Sequence, residues 1–369
     1  MKRVLILTAG YGDGHNSAAR AVGEVLQESA EVRVCDVCAE ALPEVFKWTK
    51  RLYLWMTARV PWLWRCLYDL SDTSDWSGGV PPGLGPVAVR LRVMLDEWKP
   101  DAVVCTFPLY PYLLDVLFRQ GVHRVPYMTV VTDSLAISRT WLESDARLFA
   151  VSDEGTRSLL VEEKGIAPDR VVVTHFPVSP KVHAGDEAKS WCAGQAFKVL
   201  YVPQGRPSLV EEELVAMLDA APEVRVTVVL GHKVRRLYRA VHGAALRAGR
   251  DRVRILGWTH RMPQLLASHH VLVGKAGGAS VHEALAAEVP VLVNHFVPGQ
   301  EEGNTELLHR LGGGRFVSTP AELRRALQFL LDQDGSAWSV MKQRLHQARM
   351  KGGAAHIAEL VQQLDDFHV

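Results

Sequence analysis

The residues whose types and spacing can do chemistry fall in two glycine-rich runs. The later one is Gly274-Lys275-Ala276-Gly277-Gly278-Ala279-Ser280-Val281-His282-Glu283-Ala284, followed by Val289-Pro290-Val291-Leu292-Val293 and Pro298-Gly299-Gln300-Glu301-Glu302-Gly303-Asn304. That order predicts a strand (Val271 to Val273), a glycine turn, a helix N-terminus, a second strand and a polar loop. Glycines let backbone approach a ligand, and the first turn of a helix offers unpaired amides. Gly277, Gly278, Ala279 and Ser280 are therefore candidates for holding a diphosphate. Glu283, one turn further on, and Gln300, Glu301 and Asn304 add groups that bind hydroxyls. Together they make the layout a nucleotide-sugar needs.

The earlier run, Gly10-Tyr11-Gly12-Asp13-Gly14-His15-Asn16-Ser17, follows the first strand and opens a helix near Ala18. Asp36, at the end of the second strand, sits near the position of a dinucleotide-ribose carboxylate. G-x-G-x-G followed by His is not G-x-G-x-x-G, however, and NAD binding is not expected. A histidine at a strand's C-terminal edge faces the crevice of an open α/β sheet, and imidazole titrates near neutrality. A histidine so placed is able to exchange a proton with a ligand; the plainer alternative is that it only orders the glycine loop.

These runs resemble the GT-B glycosyltransferases, in the branch holding the peptidoglycan transferase MurG, plant monogalactosyldiacylglycerol synthases and bacterial diacylglycerol glucosyltransferases. Pro298-Gly299-Gln300-Glu301-x-Gly-Asn304 after Glu283-Ala284 carries the resemblance most specifically. It implies an α/β fold of two Rossmann-like, doubly wound domains facing across a cleft, with a C-terminal helix returning to the first domain. It implies that His15 is the catalytic base and that Gly14, Asp133 and Trp141 line the acceptor side. Glu283 would bind ribose hydroxyls, although an exposed carboxylate near a helix start is favourable without any ligand. Gln300 and Glu301 would meet the sugar, and Asn304 would do so or order the loop. Gly205, His232 and Trp258 would complete the donor site, the backbone at Trp258 reading uracil.

The reaction so implied moves a hexose from a UDP-sugar to a hydroxyl of a diacylglycerol-type lipid, with inversion at C1. The resemblance implies no cofactor and no metal in the chemical step. One position departs from the pattern: Ser138 stands where the family has a histidine three residues before the tryptophan, and it cannot replace an imidazole in proton transfer. Two rivals share the fold, a UDP-sugar 2-epimerase and a nucleotide-sugar- or lipid-binding protein without turnover. Glucose, galactose and N-acetylglucosamine all stay open as the sugar.

Elements able to position these residues are legible in the apolar runs. The chain has 369 residues, 48% of them hydrophobic, enough for two cores. Runs at Val4–Thr8, Val32–Val37, Ala102–Thr106, Tyr127–Val131 and Leu148–Ala150, with Val171–Thr174 as a further one, lack polar alternation, as parallel strands covered on both faces do. A polar stretch from His183 to Ser190 marks a boundary, so residues 1–185 form the predicted first domain. A second set follows within 195–338: Val199–Val202, Val224–Leu230, Val253–Leu256, Val271–Val273 and Val289–Val293. Residues 339–369 form an amphipathic helical tail.

With 42 basic and 41 acidic residues, no global field recruits nucleic acid. No apolar run approaches the roughly 20 residues of a membrane span, and Met1–Leu7 is too short for a signal peptide. Cys35 and Cys38 form a C-x-x-C without a partner pair; they are read as small buried hydrophobes rather than metal ligands, in a reducing compartment, the cytoplasm. Glu44–Leu70 interleaves Trp48, Trp55, Trp62 and Trp64 with Lys50, Arg51, Arg59 and Arg65. Aromatic rings beside cations suit the headgroup boundary of an anionic membrane, here its inner face. The alternative is a helix pair packed on the first sheet with its basic face in water. Ser71–Pro86 is expected to be a loop.

Overall fold

The computed structural model describes residues 1–60, 62, 63, 65, 66, 79–135, 137–183, 190–299 and 301–364. Its strands form two six-stranded sheets, every pairing parallel. The first comprises β1 (Lys2–Leu7), β2 (Ala30–Cys35), β3 (Ala102–Cys105), β4 (Tyr127–Val130), β5 (Leu148–Val151) and β6 (Val171–Val173), in the order β2-β1-β3-β4-β5-β6. The second comprises β7 (Phe197–Tyr201), β8 (Val224–Val229), β9 (Val253–Leu256), β10 (Val271–Lys275), β11 (Val291–His295) and β12 (Gly314–Phe316), ordered β12-β11-β10-β7-β8-β9.

Strand composition accounts for this burial. Side chains alternate across a strand, so a parallel strand covered by helices on both faces must be apolar throughout. In β1, Leu5 and Leu7 point into a core with Val103, Cys105 and the helices Gly85–Trp98 and Leu109–Arg119. Val4 and Ile6 point the other way, into a core with Val104, Met128, Val130 and Val22 of the helix Asp13–Leu26.

That second core is completed from far along the chain. Ile357, Ala358, Val361 and Leu364, on or just after the helix Ala354–Gln362, pack into it. The Lys2 ammonium donates to the carbonyls of Val361, Gln362 and Leu364 (3.1, 3.2 and 2.6 Å), at and just beyond that helix's C-terminus. Gly353 marks the entry: its N–H donates to the Phe176 carbonyl at 2.9 Å, and a Cβ there would stand 2.2 Å from the His175 carbonyl oxygen. The residues accordingly sort into two compact units, one of 1–180, 297–303 and 352–369, the other of 181–296 and 304–351.

The sheet of the second unit carries a strand that the apolar runs do not reveal. β12 is Gly-Arg-Phe, too short and too polar for a hydrophobic run, and Gly314 is required because a Cβ would lie 2.6 Å from the Val291 carbonyl oxygen. The helix Pro320–Ala348 is interrupted at Asp332–Gly335, where Gln333, Asp334 and Gly335 adopt positive φ. A Cβ on Gly335 would meet the Trp191 ring at 2.7 Å.

Candidate active site

Parallel pairing brings the C-terminal ends of β1, β3 and β4 to one edge of the first sheet. The strand order reverses between β1 and β3, the kind of point at which open α/β sheets bind ligands. His15 stands there, third in the helix Asp13–Leu26, and is buried. Its Nδ1 lies 2.8 Å from the Thr106 carbonyl oxygen, just beyond β3, and 2.9 Å from the Thr132 hydroxyl, beyond β4. A carbonyl can only accept, so Nδ1 carries the hydrogen and Nε2 keeps its lone pair. Burial holds the imidazole pKa down at about 4, the Thr106 carbonyl opposing the shift. The ring is therefore neutral at pH 7 and able to accept a proton.

The glycines beside it have no internal explanation. A Cβ at Gly12 or Gly14 would meet nothing within 4 Å, and neither residue needs positive φ. Gly10 differs, with a Cβ position 3.3 Å from Asp36 Oδ2. Asp36 itself accepts from the amides of Gly10 (2.8 Å) and Ala39 (2.9 Å), capping the short helix Val37–Ala41. These bonds account for the carboxylate that a dinucleotide fingerprint would assign to ribose.

Asp133 accepts from the Trp141 indole at 2.7 Å. Burial pushes its carboxyl up to about 6; the indole bond opposes this and the nearby Glu301 charge adds to it. Trp141 is fully buried, its ring 6.0 Å from that of His15, so it acts as a wall behind the histidine rather than an exposed platform. Ser138, at the departing position, caps the turn Arg139–Trp141 by accepting from the Thr140 N–H. Thr106 and Thr132, absent from the sequence-level candidates, hold the base. The available signal was a hydroxyl immediately past the C-terminal end of an apolar strand.

In the second unit the sheet order reverses between β7 and β10, and the glycine turn follows β10. Gly277 is the N-cap of the helix Gly278–Ala286 and provides no side-chain cap. Ala279 and Ser280 lie in its first turn and Glu283 in its second, all half-buried. Asn304 is buried and donates to the Ala276 carbonyl at 3.0 Å, tying the helix Glu302–Arg310 to the same turn; among the described residues its Oδ1 has no hydrogen-bond partner. After β7, Gly205 has φ +87°, a conformation that favours glycine, and its carbonyl accepts from Arg236. Lys233 donates to Pro203 O and Gln204 Oε1 in the same loop. His232 stacks on the half-exposed Trp258 at 5.7 Å between centroids, and His260 meets the same indole edge-on at 4.0 Å.

Two further site residues have partners within the protein. Glu301 is buried and one oxygen accepts from the Val297 N–H at 2.9 Å, closing the Pro298–Gly299 loop on itself. At least that oxygen has a structural use, where sequence suggested sugar contact. Arg65 is paired with Glu302 at 2.7 Å, so its charge is neutralised locally. Gln300 and Trp64 lie outside the described residues.

Elsewhere, Cys35 and Cys38 are buried free thiols, with the Tyr110 hydroxyl accepting from the Cys38 N–H. Asp332-Gln333-Asp334 has the Asp-x-Asp spelling of a metal motif but falls in the interruption of Pro320–Ala348. A cluster unforeseen from sequence joins two strand ends: the buried Glu213 accepts from the hydroxyl of Tyr201, the last residue of β7, and from the half-buried Asn294 in β11 at 2.9 Å.

The helix Pro43–Arg59 buries Phe46 and Met56 and leaves Trp48 64% and Trp55 54% exposed. Val45, Trp48, Leu52 and Trp55 recur at steps of three and four, one outward stripe of a helix. Arg51 and Arg59 are exposed along it, Lys50 is half-buried, and Trp62 beyond it is exposed. Among the described residues no helix is long and apolar enough to cross a membrane.

Two parallel six-stranded sheets of this order match the GT-B fold. Solved structures agree over nearly the whole chain. Acinetobacter baumannii MurG matches with a TM-score of 0.63 at 15% identity, covering 98% of this chain and 100% of that one. Anabaena HepE, solved with UDP and glucose, matches at 0.56 and 16%, covering 99% and 100%.

By sequence, the chain is similar to diacylglycerol glycosyltransferases. Residues 15–178 match the model of the monogalactosyldiacylglycerol synthase family. The processive diacylglycerol beta-glucosyltransferases of Bacillus thuringiensis (strain Al Hakam) and Bacillus cereus (strain AH187) are each 26% identical to it, across 100% of this chain and 94% of theirs.

Proposed function

We propose that this protein is an inverting glycosyltransferase that moves a hexose from a UDP-sugar to the hydroxyl of a diacylglycerol-type lipid. The observation that carries the reading is His15, whose Nδ1 is committed to Thr106 and whose Nε2 keeps a lone pair. The kinship with diacylglycerol glucosyltransferases supplies the substrate class. In the proposed step Nε2 takes the hydroxyl proton as the lipid oxygen bonds to C1. The bond from C1 to the diphosphate oxygen breaks, the anomeric configuration inverts, and UDP departs. Its charge is received by the first-turn amides at Ala279 and Ser280, so the step is proposed to need no metal. Glu283 binds the ribose, and Trp258 with His232 borders the base.

The outward stripe of Pro43–Arg59 fits a lipid acceptor. Trp48 and Trp55 reach into the headgroup region while Arg51 and Arg59 meet anionic lipid, holding the enzyme peripherally at the inner membrane face.

The test is UDP release from UDP-glucose and UDP-galactose, with and without dioleoylglycerol in mixed micelles, alongside chromatography of the lipid. Lipid-dependent release with a new glycolipid is expected, and His15→Ala should cut turnover by about 10²–10⁴ while keeping UDP affinity. Release indifferent to lipid, or undiminished turnover in the variant, rejects the reading.

A further inference from the structure

The charge of this chain is unevenly distributed in a way the proposed reaction does not use. Residues 231–261 hold nine of its 42 Lys and Arg but one of its 41 Asp and Glu, leaving 33 basic against 40 acidic residues elsewhere. Most of this segment is the helix Val234–Ala248 and the edge strand β9. The helix buries Leu237, Val241, Ala244 and Ala245 and turns the opposite side to solvent.

That outer side divides into two rows. On one shoulder Arg236 donates to the Gly205 carbonyl and Arg247 pairs with Glu211, so both arginines brace the unit itself. The other row is Arg235, Tyr238, Arg239, His242 and Leu246, at steps of three and four. Among the described residues, Arg235 and Arg239 have no ion pair. Tyr238 is 45% and Leu246 55% exposed, Val234 is exposed at the helix start, and the Tyr238 ring stacks on His242 at 5.4 Å. An ordinary solvated helix face alternates the sign of its charges; this one carries a single sign interleaved with apolar groups.

We infer that this row is a second membrane-contacting surface, on the sugar-donor unit, that takes the acidic headgroups of a bilayer. Charge complementarity requires an anionic partner, and the interleaved Val234, Tyr238 and Leu246 select among such partners. Guanidinium groups alternating with an aromatic and aliphatic side chains suit a headgroup layer overlying acyl chains. A nucleic-acid backbone, or electrostatic steering of a small anionic donor, has no use for an exposed leucine. The choice of a lipid partner leans on the lipid-acceptor reading above.

The experiment is sedimentation of the full chain with phosphatidylcholine vesicles, with and without phosphatidylglycerol, at low and high salt. Arg235→Glu with Arg239→Glu is compared with wild type and with Arg235→Gln/Arg239→Gln, with thermal midpoints recorded for each. Both positions are exposed, so unchanged midpoints are expected. Wild type should bind the phosphatidylglycerol vesicles and release them at high salt. The Gln pair should partition roughly 25-fold more weakly, about fivefold for each arginine lost, and the Glu pair more weakly still.

Partition of the Glu pair within twofold of wild type overturns the inference. It does so equally if the same variant loses affinity for a DNA duplex or loses kcat/KM for the UDP-sugar in micelles, since those results assign the row to another anion. Absence of glycosyl transfer by the wild type would sink the proposed function instead; vesicle partition needs no turnover and still decides this surface.

Discussion

His15, buried, and Asp133, half-buried, contribute to stability with opposite dependences on pH. The imidazole, held down at about 4 by burial, binds fewer protons folded than unfolded, so its contribution is present above about 6.5 and is lost as pH falls toward 4. The Asp133 carboxyl, pushed up to about 6 chiefly by burial, binds more protons folded, so its contribution is present below about 3.9 and is lost as pH rises through 6. Between about pH 4 and 6 the two oppose each other. Asp133→Asn, which keeps an acceptor for the Trp141 indole, should gain on wild type in urea-unfolding free energy as pH rises through that window, by up to about 1.4 kcal/mol per pH unit. A difference that does not vary with pH would mean that Asp133 titrates normally. For the same reason the acid limb of kcat/KM, if His15 is the base, should lie well below 6.5 and disappear with the histidine.

The place of His15 was legible because its glycines are adjacent in sequence. Thr106 and Thr132 were not, because they reach it only through the pairing of β1 with β3 and β3 with β4. Glu301 shows the converse: its place after Pro298-Gly299 suggested sugar contact, while its bond to the Val297 amide is a local closure of the loop that spacing does not carry.

At the level of elements, central parallel strands announce themselves as apolar runs because both faces are buried; the edge β2 shows only part of such a run, with Glu31 and Arg33 exposed, and β12 shows none because it is an edge of three residues with an arginine at its centre. The helix start at Gly277–Gly278 was visible for a related reason, since small residues there follow an unmistakable strand. If this helix holds the nucleotide, Glu283→Ala should weaken UDP about tenfold or more by calorimetry, the scale of losing a hydrogen bond to a charged group, with little change in stability. Unaltered UDP affinity would return Glu283 to the role of a helix carboxylate. The entry to the C-terminal helix makes a sharper demand: a methyl group on Gly353 collides with the backbone at Thr174 and His175, which has no rotamer to yield. Gly353→Ala should cost about 2–3 kcal/mol in chemical denaturation; a cost below about 0.5 kcal/mol would mean that the segment is not docked as described.

For the whole molecule the decisive quantity is how apolar surface is left outside. Trp48 and Trp55 are more than half exposed on a helix whose other face already contributes Phe46 and Met56 to the fold. Replacing both with serine should therefore leave unfolding unchanged while reducing vesicle association at least tenfold, as expected for two aromatic anchors. Equal loss of folding stability would show that the indoles pack in solution instead. Net charge near zero gave no hint of the proposed basic row, because the balance is reached by a basic stretch in one unit offsetting an acidic excess over the rest.

The clasp between Lys2 and the carbonyls near residue 361 has a consequence for how the molecule is made. The core behind β1 lacks Ile357, Val361 and Leu364 until nearly all of both units has been translated. A ribosome therefore carries the first unit as an unfinished half-shell while the second gathers everything it needs by Lys351. Nascent chains stalled before Gly352 with their ends clear of the exit tunnel should yield to protease in the early segment and resist it in the later one.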